Sequence, residues 1–137
     1  MYTAGVQAAT VASRAKLKRV LVVDSDSFSQ RTIREALHSS VSEIAFLDLQ
    51  EAWARVHEHA LEFSVVLIDV AHAENAFSFL EAINRAWPKA KVVFFSNDMQ
   101  FWMESIQRGA YDMLPKPLNG PDLSWIVDGV ISHRGAA

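Results

Sequence analysis

The chain has 137 residues, half of them apolar, no cysteine and a formal net charge of −3. That length suits one domain, or one domain with a tail, able to bury about two-thirds of its unfolded surface. Disulfides, thiolate metal sites and cysteine nucleophiles are excluded. The absence of cysteine fits a cytoplasmic protein, and the longest apolar runs, such as Val-Val-Leu-Ile at 65–68, fall far short of the roughly 20 residues that span a bilayer.

Charge is unevenly spread. Arg14, Lys16, Lys18 and Arg19 are the only charged residues of 1–19, which makes that segment +4, whereas 20–137 hold nine basic and sixteen acidic residues, or −7. An acidic body argues against a nucleic-acid groove, which needs clustered Lys and Arg. The basic stretch is no signal peptide, because its charges follow the Ala/Val-rich part instead of preceding it. Residues 1–17 are expected to be a flexible basic extension, 18–134 the folded domain and 135–137 a short tail.

In chain order, Lys18 to Asp24 is a β-branched run ending at acids and serines, which predicts a strand buried on both faces. Ser27-Phe28-Ser29-Gln30 has capping-box spacing with Asp26 just ahead, and Phe28, Thr32, Ala36 and Leu37 follow at helical spacing. Val41 to Leu49 predicts a second strand, and Gln50 to Ala60 a helix with Ala52, Trp53 and Val56 on one side. Phe63 to Val70 predicts the third strand. Phe77, Leu80, Ile83 and Trp87 mark the stripe of the next helix, closed from outside by Pro88.

Lys91 to Asn97 predicts the fourth strand, ending at a hydroxyl. Met99, Trp102, Met103 and Ile106 predict a helix stopped by Gly109. Tyr111 to Leu114 is a short fifth strand before Pro115-Lys116-Pro117. After Asn119-Gly120-Pro121, a last amphipathic helix carries Leu123, Ile126, Val127, Val130 and Ile131. Strict β/α alternation with buried strands implies a doubly wound α/β fold, a five-stranded parallel sheet with helices on both faces.

In such sheets, ligands sit outside the carboxyl ends of the strands. Here those ends carry Asp24 with Asp26 close by, Asp69, Ser96 and Lys116. Taken singly, each has a plain explanation as a helix cap, a turn residue or a solvated charge. Together, two or three carboxylates, a hydroxyl and an ammonium on one edge suit phosphoryl chemistry. Mg²⁺ relieves repulsion between carboxylates, a carboxylate can attack phosphorus, and cations and donors stabilise the transferring group.

VLVVDSDSFSQRTI, VVLID, VVFFSN and GAYDMLPKPL, in that order and spacing, resemble the motifs of the two-component response-regulator receiver domain over about residues 18–134. The resemblance implies a flavodoxin-like (βα)5 fold with strand order 2-1-3-4-5. It makes Asp69 the phosphoacceptor, fed by a histidine kinase or a phosphotransfer protein. Asp24 and Asp69 would belong to an Mg²⁺ site, with Asp26 and the backbone carbonyl of Ala71 as weaker candidates. Ser96 and Lys116 would contact the phosphoryl group, and Lys116-Pro117 would match the family's cis peptide. Signalling would pass through a downstream protein or a homodimer, by way of the last two helices and the fifth strand, with no nucleic-acid or membrane contact.

The chain departs from that pattern in four places. The family usually has a second acid where Ser25 stands. The loop after Asp69 reads Val-Ala-His-Ala-Glu-Asn-Ala-Phe, without the usual Met-Pro pair and Asp-Gly turn. Asn97 replaces a usually small residue. Met113 replaces an aromatic that swings with the hydroxyl, and Tyr111, with the same strand parity, lies one pair too early.

Two other functions compete. One is a degenerate receiver that binds partners without phosphorylation. The other follows from Asp24-Ser25-Asp26, a D-x-D after a strand that resembles haloacid-dehalogenase phosphatases, although Phe28 replaces their usual Thr or Val. His57 and His59, two apart on a predicted helix, make a poor metal pair. The four tryptophans are expected in the core or at its rim, and Trp102 with Trp125 could mark a partner surface.

Overall fold

A computed structural model describes residues 18–58, 62–70 and 73–133. Five strands, β1 (Arg19–Val23), β2 (Glu43–Phe46), β3 (Val65–Asp69), β4 (Lys91–Ser96) and β5 (Asp112–Pro115), form one sheet in the order β2-β1-β3-β4-β5. Every neighbouring pair is parallel, with Val20 opposite both Ile44 and Val65, and Ile68 opposite Phe94. The helices are α1 (Ser27–Leu37), α2 (Leu49–His57), α3 (Ala73–Ala86), α4 (Trp102–Gln107) and α5 (Gly120–His133), with a 3₁₀ turn at Met99–Phe101 leading into α4. The expected architecture and strand order are both present.

Strand alternation builds two cores. Val20, Val22, Val65, Leu67, Val93 and Phe95 face one side, where Ile33 and Leu37 of α1 and Leu123, Val127 and Val130 of α5 cover them. Leu21, Val23, Val66, Ile68, Phe94 and Met113 face the other, under Ala52 and Val56 of α2 and Phe79, Leu80 and Ile83 of α3. Both faces are covered, which is why the strands read as continuous apolar runs instead of alternating ones.

Local chemistry sets the helix ends. Asp48 and Glu51 form a capping box at α2. Asn119 Oδ1 accepts the Asp122 N–H at the start of α5. Gly109, just past α4, has φ +109°, a conformation that side-chain-bearing residues rarely adopt.

Several expectations need correction. The cap of α1 is Asp26, whose carboxylate accepts the Ser29 N–H, so Ser27 and Gln30 form no capping box. The buried stripe of α1 is Ser29, Ile33 and Leu37, and Phe28 lies 53% exposed. The Met99, Trp102 and Met103 face is exposed, and the buried residue of α4 is Ser105, because α4 sits on the sheet's β5 edge where little core remains to cover. β2 is shorter than Val41 to Leu49, and β5 begins one residue later than Tyr111. Residues 1–17, Ala71, His72, His59 and 134–137 lie outside the described residues.

Candidate functional site at the carboxyl edge of the sheet

Strand order reverses between β2-β1 and β3-β4-β5, so the chain leaves β1 and β3 in opposite directions and opens a crevice between their carboxyl ends. Asp24 directly follows β1, and Asp69 is the last residue of β3. Lys116 directly follows β5, and its backbone N–H is held by the Ser96 carbonyl at 2.9 Å. The peptide from Lys116 to Pro117 is cis.

One ammonium joins the two acids. Lys116 Nζ lies 3.1 Å from Asp24 Oδ2 and 3.2 Å from Asp69 Oδ1, to which it donates a hydrogen bond. The Asp24 side chain is fully buried, whereas that of Asp69 is 30% exposed. Of the two carboxylates, only that of Asp69 is open to solvent. Burial disfavours the charge on Lys116, but the ion pair with Asp24 and the hydrogen-bonded ion pair with Asp69 outweigh it and raise the pKa above its ordinary value.

Asp24 Oδ1 accepts the Asp26 N–H at 2.9 Å. Its Oδ2 faces Lys116 as an ion pair without hydrogen-bond geometry, and is the one buried side-chain oxygen among the described residues that lacks a donor. A buried carboxylate oxygen with an ion pair but no hydrogen-bond donor, beside a second carboxylate, is a donor set that a hard dication fits, since Mg²⁺ takes one or two carboxylates and completes its shell with water and phosphate oxygens. No group of three His, Cys, Asp or Glu side chains gathers among the described residues.

The neighbouring candidates are placed differently. Ser25 is exposed and lines a cleft of ≈ 200 Å³ together with Asp24, Asp48, Leu49, Asp69 and Asn75. Asp26 turns toward α1, where its Oδ2 accepts both the N–H and the hydroxyl of Ser29 at 3.0 and 2.8 Å. Those bonds, the hydroxyl first, pull its pKa below the ordinary carboxylate value. Asn97 is exposed. Met113 is buried in the α2–α3 core.

Ser96 is buried at the end of β4, but its hydroxyl is engaged within its own turn. It donates to the Asp98 carbonyl at 2.8 Å and accepts the Asp98 N–H at 3.0 Å. The structure therefore brings Asp24, Asp69 and Lys116 together and holds the Ser96 oxygen aside.

Two supporting residues escaped the sequence reading. Gln30 Nε2 donates to the Asp24 carbonyl at 2.8 Å and ties α1 to the acid turn. Asp98 caps the 3₁₀ turn by accepting the Gln100 N–H at 3.0 Å. An Asp just after a strand was a visible cap signal for the second. Nothing local could reveal the first, since Gln30 has the spacing of a capping box.

Among the described residues, no helix is long and apolar enough to cross a membrane. A family model for the response regulator receiver domain matches residues 20–128. Over 118 residues the chain is 30% identical to the DNA-binding transcriptional regulator NtrC of Bradyrhizobium sp. (strain RP501 Parasponia), covering 83% of this chain and 24% of that protein. The chain thus spans about a quarter of the length of that relative. The crystal structure of a response regulator from Thermotoga maritima superposes with a TM-score of 0.75 at 24% identity, covering 85% of this chain and 98% of the other. The solution structure of the beryllofluoride-activated NtrC4 receiver domain dimer does so with 0.74 at 23%, covering 86% and 99%. Because the family model spans most of the chain, on a sheet of the expected order, this protein belongs to the response-regulator receiver domains of two-component signalling.

Proposed function

We propose that the chain is a phosphoacceptor in a phosphorelay, taking a phosphoryl group on Asp69 from a histidine kinase or a phosphotransfer protein. The observation that carries this reading is the single ammonium of Lys116 drawing Asp24 and the solvent-accessible Asp69 to one point at the β1/β3 switch. Asp69 Oδ1 is held by Lys116, which leaves Oδ2 as the attacking oxygen. An O–P bond forms as the donor's P–N bond breaks, and the departing imidazole recovers a neutral ring by taking a proton. Lys116 then neutralises an equatorial phosphoryl oxygen, and the Ser96 hydroxyl donates to another after leaving Asp98.

Asp24 and Asp69 would hold Mg²⁺, which supplies charge neutralisation between carboxylates and phosphoryl oxygens. Asp26 is committed to its cap and Ser25 is neutral, so the affinity is expected to be weak. The chain turns over no substrate in this reading. It acts in the cytoplasm by protein contact through α4, β5 and α5, with a downstream protein or a second copy, and without direct nucleic-acid or membrane binding.

The test is to incubate the protein with Mg²⁺ and a small phosphodonor and measure its intact mass. An increase that disappears in Asp69→Asn supports the proposal, and no increase at millimolar Mg²⁺ sinks it. In that case the second reading takes over, a binding module that works without phosphorylation. Ser25 and the capped Asp26 are the observations that favour it.

A further inference from the structure

The Ser96 hydroxyl has one proton to donate, and it is spent on the Asp98 carbonyl at 2.8 Å. A bond to a phosphoryl group on Asp69 and the bond to Asp98 are therefore mutually exclusive. That makes the Ser96–Asp98 staple a two-state element. Asp98 also accepts from the backbone and side chain of Gln100 at 3.0 and 2.8 Å, and so initiates the 3₁₀ turn Met99–Phe101.

The turn ends directly on Trp102, whose N–H bonds the Met99 carbonyl and whose indole Nε1–H donates to Asp112 Oδ1 on β5 at 3.2 Å. The same Asp112 oxygen accepts the Met113 N–H at 2.8 Å. A hydrogen-bonded line thus runs from Ser96 through Asp98 and the 3₁₀ turn to the indole of Trp102. It reaches β5 without using the side chain at position 113, which is buried and has no polar group to exchange. Phe101 anchors the turn by packing on the core and accepting the Ser105 hydroxyl at 2.8 Å, whereas Met99 and Trp102 are 37% and 40% exposed, so the Met99–Trp102 side is the one the core does not hold.

Resting on the phosphoacceptor reading above, we propose that occupancy of Asp69 is reported through this line. Ser96 abandons Asp98, the 3₁₀ turn loses its staple, and the Trp102 indole releases Asp112, which reshapes the exposed Met99–Trp102–Met103 surface. Trp102 and Asp112 are in this sense positioning residues, and they take the place of an aromatic on β5.

The four tryptophans of the full chain each give one indole N–H signal in ¹H–¹⁵N spectra, and Trp102→Phe assigns the relevant one. Asp112→Ala sets the position of that signal without its acceptor. Ser96→Ala, with no phosphodonor present, should move the Trp102 signal toward that position and speed its exchange roughly fivefold, as expected for one lost hydrogen bond. Asp98→Ala keeps both Ser96 bonds, which are to the Asp98 main chain, but removes the carboxylate that caps the 3₁₀ turn. It therefore breaks the next link of the line and should move the signal the same way even if Ser96→Ala folds poorly; Ser96→Thr should leave the signal in place. Beryllofluoride with Mg²⁺ should shift it in the wild-type chain and not in Asp69→Asn.

A Trp102 signal that stays at its wild-type position in folded Ser96→Ala or Asp98→Ala overturns the proposal. So does one that stays while ¹⁹F spectra show beryllofluoride on Asp69. Failure of beryllofluoride to bind Asp69 counts against the phosphoacceptor reading instead, and the unphosphorylated variants still decide the relay.

Discussion

The two halves of the sheet's carboxyl edge hold polar groups in opposite conditions. On the β1–β3 side, Asp24 and Asp69 are closed onto Lys116, and α1 and Gln30 brace the turn from behind. On the β4–β5 side, the Ser96 hydroxyl is turned into its own loop, and Trp102 and Met103 stand at the surface. The difference follows from position in the sheet. β1 and β3 are central and covered on both faces, so their end residues have few places to go. β5 is an edge strand, and its neighbouring helix has only six residues. Charge is concentrated where the sheet is covered on both faces, and exposed apolar surface where the cover is thin.

The strongest way to break that contrast is at Asp69. Asp69→Asn removes the proposed nucleophile and should abolish phosphoryl transfer outright, as read by intact mass. Any residual modification would place the acceptor elsewhere on the edge.

Next come the aromatics, which divide by side. Phe79 and Trp87 are buried beneath the α3 side, so Phe79→Ala should cost about 3–5 kcal/mol in urea unfolding. Trp125 is 78% exposed, and Trp125→Ala should stay within about 0.5 kcal/mol. Equal costs would mean that the β5–α5 face is not open in solution.

Lys116→Met leaves two neighbouring carboxylates without their cation and should destabilise the chain by about 2 kcal/mol at neutral pH. Folding raises the Lys116 pKa, so its contribution is complete below the unfolded value of about 10.4. It is lost as pH climbs through the higher folded value. Unfolding curves of both proteins should therefore run parallel up to about pH 10 and converge above it; convergence already at pH 8 would contradict the ion pair.

The smallest effect belongs to Asp26, an exposed cap. Asp26→Ala should lower the urea midpoint slightly at neutral pH. Because folding depresses this pKa, the difference should be present above the unfolded carboxylate value and vanish as pH falls through the folded one. A large loss would instead give Asp26 a part in holding Asp24.

Much of this was legible beforehand. The apolar runs within 18–24, 63–70 and 91–97 announced buried strands, which the structure places at 19–23, 65–69 and 91–96, and Trp87 with Pro88 announced the end of a helix. Other signals misled for physical reasons. Met99, Trp102 and Met103 have helical spacing, and spacing alone does not say whether the apolar face meets a core or solvent. Ser27 and Gln30 have capping-box spacing, but Asp26, one residue earlier, is a cap of equal rank and adds a second bond from the Ser29 hydroxyl.

Composition, alternation and strand-end chemistry determined by themselves that this is a parallel α/β domain with acids, a hydroxyl and a lysine on one edge. These properties depend on near neighbours along the chain, which a sequence displays directly. Only the tertiary structure decided that Lys116 spans 47 residues to reach Asp69. The same holds for the diversion of Asp26 and Ser96 into local turns and for the exposed face of α4. The polar outcomes turn on whether a side chain bonds locally or to a distant partner, and the α4 face on whether any core lies opposite it; both depend on distances that exist only once the sheet has closed.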